Sequence, residues 1–543
     1  IFFEEVKIFE HAKGQHSMIF VLIKCPGEKH KGERNNNHIK VIQVKCKNQD
    51  LPGNTIRENL DFLTGHVRKH IDKPRYEDKF IKVFWSGVKQ GELTEGAWNL
   101  MQSKTERDIL SKVESNASPI TDLCEIDCGI FSNADYLSKK YIHLIPEHKR
   151  NEFLIKEGDG IFILKENEIR PLLADDPGRM IIKRTYKNSD IDKYFVDTED
   201  EIKYLLYIDD TFEPEKFPQV IKHLEKFKEV LVARLERYGE KYPWWRLHRP
   251  HRRSIYEEPK IVTSRWGREN FYAIQEGNFF ENSDINLYIP KKETRESLEY
   301  ILALLNSELL NYWIEYKGRG RGVSRQIRLK KIPIRRINFD DPEEVSTHDE
   351  IVNKVESIRR KMGELAEYSK YFSGPRLTRL AFDASLPKAD DEAIINSIAS
   401  ENLYNLRTNP QIKIEKPKGF EENKFYLSKI GKPELILTAD AQVKLIGKDR
   451  TPLSITGPYD LLKLLTDTLN NWKDRPWNEI KEKLLLPDNI ISFNTQKAKI
   501  LNEVQIIRSE ILKLQKRIDQ IVYKLYDLKD EEIKIVEGYD SES

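Results

Sequence analysis

Hydrophobic positions along the chain fall into several distinct rhythms. Residues 18–23 are continuously apolar, which suits a strand buried on both faces, and 39–45 alternate like a second strand. The polar, Gly- and Asn-bearing stretch between them predicts a hairpin with a long tip, at the edge of a larger sheet. Two strands and a helix do not make a stable domain, so the rest of that sheet is expected in a longer protein. A short amphipathic helix is expected at 108–113, a turn into a strand at 158–164, and short strands at 180–184, 204–208, 259–263 and 270–274. Apolar residues at 220, 221, 224, 227, 231 and 232 predict a helix within 217–234. Those at 298, 301, 302, 305, 309 and 312 predict another over 296–313, ended by a Gly-Arg repeat at 318–322.

Two later helices share a seven-residue rhythm. In 349–370 the apolar positions Ile351, Val355, Ile358, Met362 and Leu365 step by four and three. In 497–528 the same rhythm runs through Ile500, Val504, Ile507, Ile511, Leu514, Ile518, Ile521, Leu525 and Leu528. Both are heptad seams. The economical pairing is an intramolecular antiparallel coil, with a dimerisation coil, and hence a homodimer, as the rival. Between them, 375–492 carries Pro-rich turns, strands at 435–438 and 442–446, and a helix at 459–472, which together suggest an inserted α+β module. The fold class expected is α+β, a mixed multidomain chain with a β-rich middle and long heptad-patterned helices.

Length changes this picture little: 543 residues exceed one hydrophobic core, so three or four domains are expected. With 39% hydrophobic and 33% charged residues the chain reads as soluble and folded. No apolar run nears the roughly 18 residues needed to span a bilayer, and the start lacks a basic signal region. The chain begins at Ile1 and reads as a piece of something longer. The four cysteines (Cys25, Cys46, Cys124, Cys128) are too sparse for a disulfide scaffold, which fits a reducing cytoplasm. Cys124 and Cys128 look like half a zinc site, but no second pair at ligand spacing follows, so no metal is expected.

Charge changes it more. The net charge is only +2, yet 317–336 holds nine Lys or Arg and no acid. A cluster of one sign in a balanced background points to a polyanion, because fixed cations release condensed counterions from phosphates; a solvated face with Gly-rich turns is the alternative. Upstream, Trp244 and Trp245 precede Arg246, Arg249, Arg252 and Arg253. The indoles either stack on an extruded base or anchor the segment in the core, and the size of Trp favours the core. Three arginines so close at 249, 252 and 253 repel unless a partner offsets them. His248 and His251 are expected to be hydrogen-bonding surface groups, not metal ligands.

The order of pieces resembles a known family. The segment Lys7-Ile-Phe-Glu-His-Ala-Lys-Gly-Gln-His-Ser-Met-Ile-Phe-Val-Leu-Ile-Lys24 looks like the stretch after the catalytic motif of adenine-specific DNA methyltransferases of type IIG restriction–modification enzymes. Cys128-Gly-Ile130 and Gly158-Asp-Gly-Ile-Phe-Ile-Leu164 look like the opening of their TaqI-like C-terminal specificity (target-recognition) domain. Asn188-Ser-Asp-Ile-Asp-Lys-Tyr194, Tyr204-Leu-Leu-Tyr207 and His223-Leu-Glu-Lys-Phe227 follow in the family's order. So do Pro259-Lys-Ile-Val262, Leu304-Leu-Asn-Ser-Glu308 and Lys331-Ile-Pro-Ile334, and 517–534 resembles the usual closing helix. The likeness covers 1–345 and 495–536; 375–492 has no counterpart.

The resemblance implies the remnant of a truncated α/β methyltransferase domain at 1–115 and a target-recognition domain at 116–345. A helix at 346–374, the insert at 375–492 and a heptad helix with its tail at 493–543 would follow. It implies duplex DNA as partner and S-adenosylmethionine as cofactor of an intact parent, itself a site-specific adenine methyltransferase and conceivably an endonuclease. Neither the Gly-rich cofactor loop nor Asn-Pro-Pro-Tyr/Phe occurs here, so no catalytic residue is carried over and this chain alone is expected to be inactive. Three Glu-x-Lys triplets, at 5–7, 479–481 and 532–534, are of the number chance produces at this charge density. The DNA-binding candidates are Arg246, Arg249, Arg252, Arg253, Lys260, Arg265, Arg268, Lys317, Arg319, Arg321, Arg325, Arg328, Lys330 and Lys331. Two rivals remain: a separate specificity subunit pairing with a catalytic chain, and a coiled-coil scaffold with no DNA role.

Overall fold

The computed structural model describes residues 31–46, 48–92, 104–198, 202–239, 241–265, 270–317, 329–369, 371–372, 376–382, 403–418, 420, 434–436, 442–446, 452–469, 475–487 and 490–538. Two compact units divide the chain, one of 1–118 with 523–543 and one of 119–522. Helices and strands are mixed in both.

In the first unit, β1 (His38–Val44), β2 (Tyr76–Glu77) and β3 (Ile81–Lys89) form an antiparallel sheet in the order β1-β3-β2. The partner of β1 is therefore β3, with Ile42 opposite Val83. The strand expected at 18–23 lies outside the described residues. Helix α1 (Ile56–His70) starts at Thr55, whose side chain and that of Glu58 cap each other's backbone. Its Leu63 and Val67 pack with Ile42, Val44, Ile81 and Val83. Helix α2 (Lys104–Ser115) buries Ile109, Leu110 and Val113, the face expected around 108–113. Lys112 there meets Glu532 at 3.0 Å.

The second unit opens with β4 (Cys124–Cys128), followed by β5 (Ile163–Lys165), β6 (Ile182–Thr185) and β7 (Lys203–Leu206). The last three form a sheet in the order β5-β7-β6. The helix expected over 217–234 is broken into α3 (Pro218–Glu225) and α4 (Lys228–Tyr238). Phe227 at the break leaves helical geometry with φ −113°, yet the apolar stripe continues through buried Val220, Leu224, Phe227 and Leu231. Strands β8 (Lys260–Ser264), β9 (Tyr272–Gln275) and β10 (Ile285–Pro290) join β4 in an antiparallel sheet ordered β9-β8-β10-β4. All residues from Lys260 to Thr263 are buried, so the central strand is covered on both faces.

The helix expected over 296–313 is also two, α5 (Leu298–Leu305) and α6 (Glu308–Lys317). Asn306 turns its amide out of the helix onto the backbone of Tyr272, and the Ser307 hydroxyl accepts from the Leu310 N–H at 3.2 Å, starting a new helix. The Gly-Arg repeat lies outside the described residues.

Helix α7 (Pro342–Ser369) buries Ile351, Val355, Ile358, Met362 and Leu365. Strands β11 (Lys413–Glu415), β12 (Glu434–Ile436), β13 (Gln442–Ile446) and β14 (Pro452–Thr456) then make a sheet in the order β11-β14-β13-β12. With α8 (Tyr459–Leu469) and α9 (Trp477–Lys483) they enclose a cluster of their own, including Leu453, Ile455, Leu461, Leu465 and Trp477. The last long helix, α10 (Ile490–Leu525), lies antiparallel to α7. Glu350 accepts from Arg517, Lys361 pairs with Glu510 and Tyr368 donates to Glu503, the positions rising on one helix as they fall on the other.

Candidate nucleic-acid interface

The basic segment is positioned by short tethers to β4 and to the sheet of β5–β7. Phe131 and Arg249 exchange both backbone hydrogen bonds, at 3.1 and 2.9 Å, and the Leu247 N–H reaches the Ile208 carbonyl at 3.0 Å. Trp244 and Trp245 pack against the hydrophobic core, with the Trp245 ring 5.1 Å from Phe212, as their size led us to expect. Arg234 fastens the segment from beneath, donating to the carbonyls of Trp244, Arg246 and Ser132 at 2.6–3.1 Å.

The candidate cations divide by exposure and partner. Arg249, Arg252, Lys330 and Lys331 are exposed, while Arg253, Arg265 and Lys317 are half-exposed. Arg252 pairs with Glu125 at 2.5 Å and Arg253 with Glu257 at 2.8 Å. Glu125 from β4 and Glu257 four residues along therefore offset part of the repulsion that the sequence assigned to an external polyanion. Solvent screens such exposed pairs, so both arginines can exchange their partner at little cost. Arg246 is committed inward: it pairs with Asp210 at 2.6 Å, donates to the Leu247 carbonyl at 3.0 Å and covers the Tyr242 ring.

Lys260 corrects the sequence reading outright. It is fully buried, 3.3 Å from an equally buried Glu281, and donates to the Tyr256 carbonyl at 3.0 Å. A cation placed in the middle of a covered sheet cannot reach a surface phosphate, so Lys260 leaves the candidate set. Arg268, Arg319, Arg321, Arg325 and Arg328 lie outside the described residues.

Two cations were overlooked because they sit in a stretch that reads as a plain buried strand. Lys183 and Arg184 on β6 are half-exposed. Burial first, and then the Arg253 guanidinium, lower the Lys183 pKa. The histidines also differ from expectation. His248 is buried, its Nδ1 3.0 Å from the Tyr242 hydroxyl, and half-buried His251 lies among Asp127, Cys128 and Phe131. Cys124 and Cys128 do not face a common ion: four residues along a strand separate them by about 13 Å.

Residues 183–334, which contain every candidate cation, match the model of the TaqI-like C-terminal specificity domain. The resemblance to that family is thereby shown. The specificity-domain match begins within β6 and ends at Ile334, a narrower span than the likeness drawn from the sequence. The chain is 28% identical over 167 residues to the Type II methyltransferase M.HincII of Haemophilus influenzae, covering 28% of this chain and 33% of that protein. It is 26% identical over 326 residues to the Type II restriction enzyme and methyltransferase RM.Eco57I of Escherichia coli, covering 56% and 32%. The chain thus spans about a third of the length of the curated relatives it matches. Among solved structures, the type IIG restriction endonuclease BpuSI aligns over 59% of this chain and 35% of its own, at 13% identity and a TM-score of 0.29.

Proposed function

We propose that this chain is the DNA sequence-recognition part of a type II restriction–modification protein whose methyltransferase acts on adenine. The match of 183–334 to a specificity domain carries the reading, and the cations lie inside that match. Phosphates would be held by Arg249, Arg252, Arg253, Lys317, Lys330 and Lys331, with Lys183 and Arg184 added, and by the arginines of 319–328. Arg265, over the ring of the Phe131 that bridges to the Arg249 backbone, would be the candidate for base-edge contact. The adenine-binding Asn-Pro-Pro-aromatic string is missing from the sequence, so methyl transfer and S-adenosylmethionine binding belong to a catalytic domain of the parent, in the cytoplasm. The lengths of the relatives support this division. The pairs between α7 and α10 support an antiparallel coil within one chain over a dimer seam.

Salt dependence of binding to a random-sequence duplex, followed by fluorescence anisotropy, tests the reading. Contact with about six phosphates lowers affinity by roughly three decades between 50 and 200 mM salt. A flat response would sink DNA recognition and favour the scaffold.

A further inference from the structure

The cationic segment meets β4 at a group of side chains that phosphate binding does not use. Asp127 and Cys128 end that strand, and His251 follows Arg249, so Cys128 and His251 are 123 residues apart in sequence. The Phe131–Arg249 backbone bridge closes this distance. Gly129 lets the 281–282 backbone lie against the end of β4, because a Cβ there would lie 2.0 Å from the Asn282 carbonyl oxygen. His251 adopts a left-handed backbone (φ 56°), unusual for a residue with a Cβ, and the Tyr207 hydroxyl holds its carbonyl at 3.1 Å. The imidazole is thereby brought beside the end of β4.

The resulting distances suit an ion. His251 Nε2 is 3.9 Å from Cys128 Sγ, and Nδ1 is 3.4 Å from Asp127 Oδ1. One donor atom from each residue falls within 4.8 Å of the other two, and all three residues are half-buried. A tetrahedral ion with bonds of about 2.0–2.3 Å places its ligands roughly 3.3–3.6 Å apart, so a small turn of the ring closes the set on one nitrogen. Sulfur, imidazole and carboxylate together suit a borderline-soft divalent cation better than calcium or magnesium.

We propose that Asp127, Cys128 and His251 bind a zinc-type divalent cation that clasps the basic segment 249–253 to β4. A thiolate and a carboxylate balance the ion's charge, and the half-exposed fourth position takes water. Binding displaces the thiol proton. Burial and Asp127 hold that proton on, while Arg265 and Arg249 loosen it. With the ion bound, Arg249, Arg252 and Arg253 are presented from a cross-linked loop. The site does not depend on the DNA reading.

Cobalt(II) titration of the chelator-stripped full chain tests this. One cobalt per chain is expected, with a thiolate-to-cobalt charge-transfer band in the near ultraviolet. Cys128→Ser should abolish the band, and His251→Gln should weaken binding by roughly tenfold or more. Cys46→Ser should change neither. Zinc should also raise the thermal midpoint of the wild type but not of the His251→Gln chain, a readout that survives if Cys128→Ser fails to fold. Absence of the band in the wild type, or equal affinity in wild type and His251→Gln, overturns the proposal. Metal binding without DNA binding would retain the site and reject the recognition reading.

Discussion

The side-chain amide of Asn306 pairs with the backbone of Tyr272 in both directions. Its Oδ1 accepts from the Tyr272 N–H at 3.1 Å, and its Nδ2 donates to the Tyr272 carbonyl at 2.8 Å. A side chain at a helix break thus takes the place of a further strand beside β9, and the Tyr194 N–H shares the same carbonyl at 2.9 Å. Asn306→Ala removes the amide oxygen that accepts from the buried Tyr272 N–H. The expected loss is roughly 1–3 kcal/mol in urea unfolding, with Asn306→Asp recovering at most the accepting half.

The Lys260–Glu281 pair, fully buried at 3.3 Å, predicts a non-additive double mutant. Lys260→Met alone leaves a buried carboxylate without its cation and should cost about 3–5 kcal/mol. Adding Glu281→Leu should recover most of that loss. A double-mutant loss equal to the sum of the two single-mutant losses would show that the pair is not coupled.

Two buried acids set a pH dependence. Burial pushes Glu281 up to about 7 against the pull of Lys260, and pushes Asp519 up to about 6 against that of Lys193. Each keeps its proton in the folded state over a range where the unfolded chain has lost it. Their contribution is therefore full below about pH 4 and declines as pH rises toward 7. Urea midpoints of the second unit should fall between pH 5 and 7.5, less steeply in Asp519→Asn. Asp78 in the first unit acts oppositely. Burial would raise its pKa, but hydrogen bonds from the Ile81 and Phe80 backbone, His66 and Tyr76 hold it at about 2. Its contribution is present above about pH 4 and lost toward pH 2.

Asp192, fully buried, accepts from Thr378 at 2.7 Å and pairs with Arg379 at 3.1 Å and Arg376 at 3.3 Å. Arg376 also reaches Asp190 at 3.4 Å. Asp192→Ala leaves two guanidiniums without this carboxylate. It should open 376–382 to proteolysis, with a stability loss of about 3–5 kcal/mol.

For the recognition surface, Arg249→Ala should weaken duplex binding and lower the magnitude of the log–log salt slope by about one. Lys260→Met should alter stability and leave that slope unchanged, because the buried cation touches no phosphate.

Local periodicity made much of the fold legible. Strands at 182–185, 203–206, 260–264 and 442–446 and both long helices stand where the apolar rhythm put them. The candidate interface was legible as charge, since fixed charge and residue order are local properties of the chain. Partnership is not local. Whether a lysine faces solvent or an acid depends on a strand elsewhere, so Lys260 read as a surface cation until Glu281 stood beside it. The helix break at 306–307 was illegible for the same reason, because backbone geometry there answers to Tyr272 and Asp519 as much as to neighbours in sequence. The amino-acid sequence by itself determined the elements, the charge and the family resemblance. Only tertiary structure decided which cations were neutralised within the fold, and only it brought Cys128 to His251, because contacts across 123 residues are made by sheet pairing and leave no periodic trace in the chain.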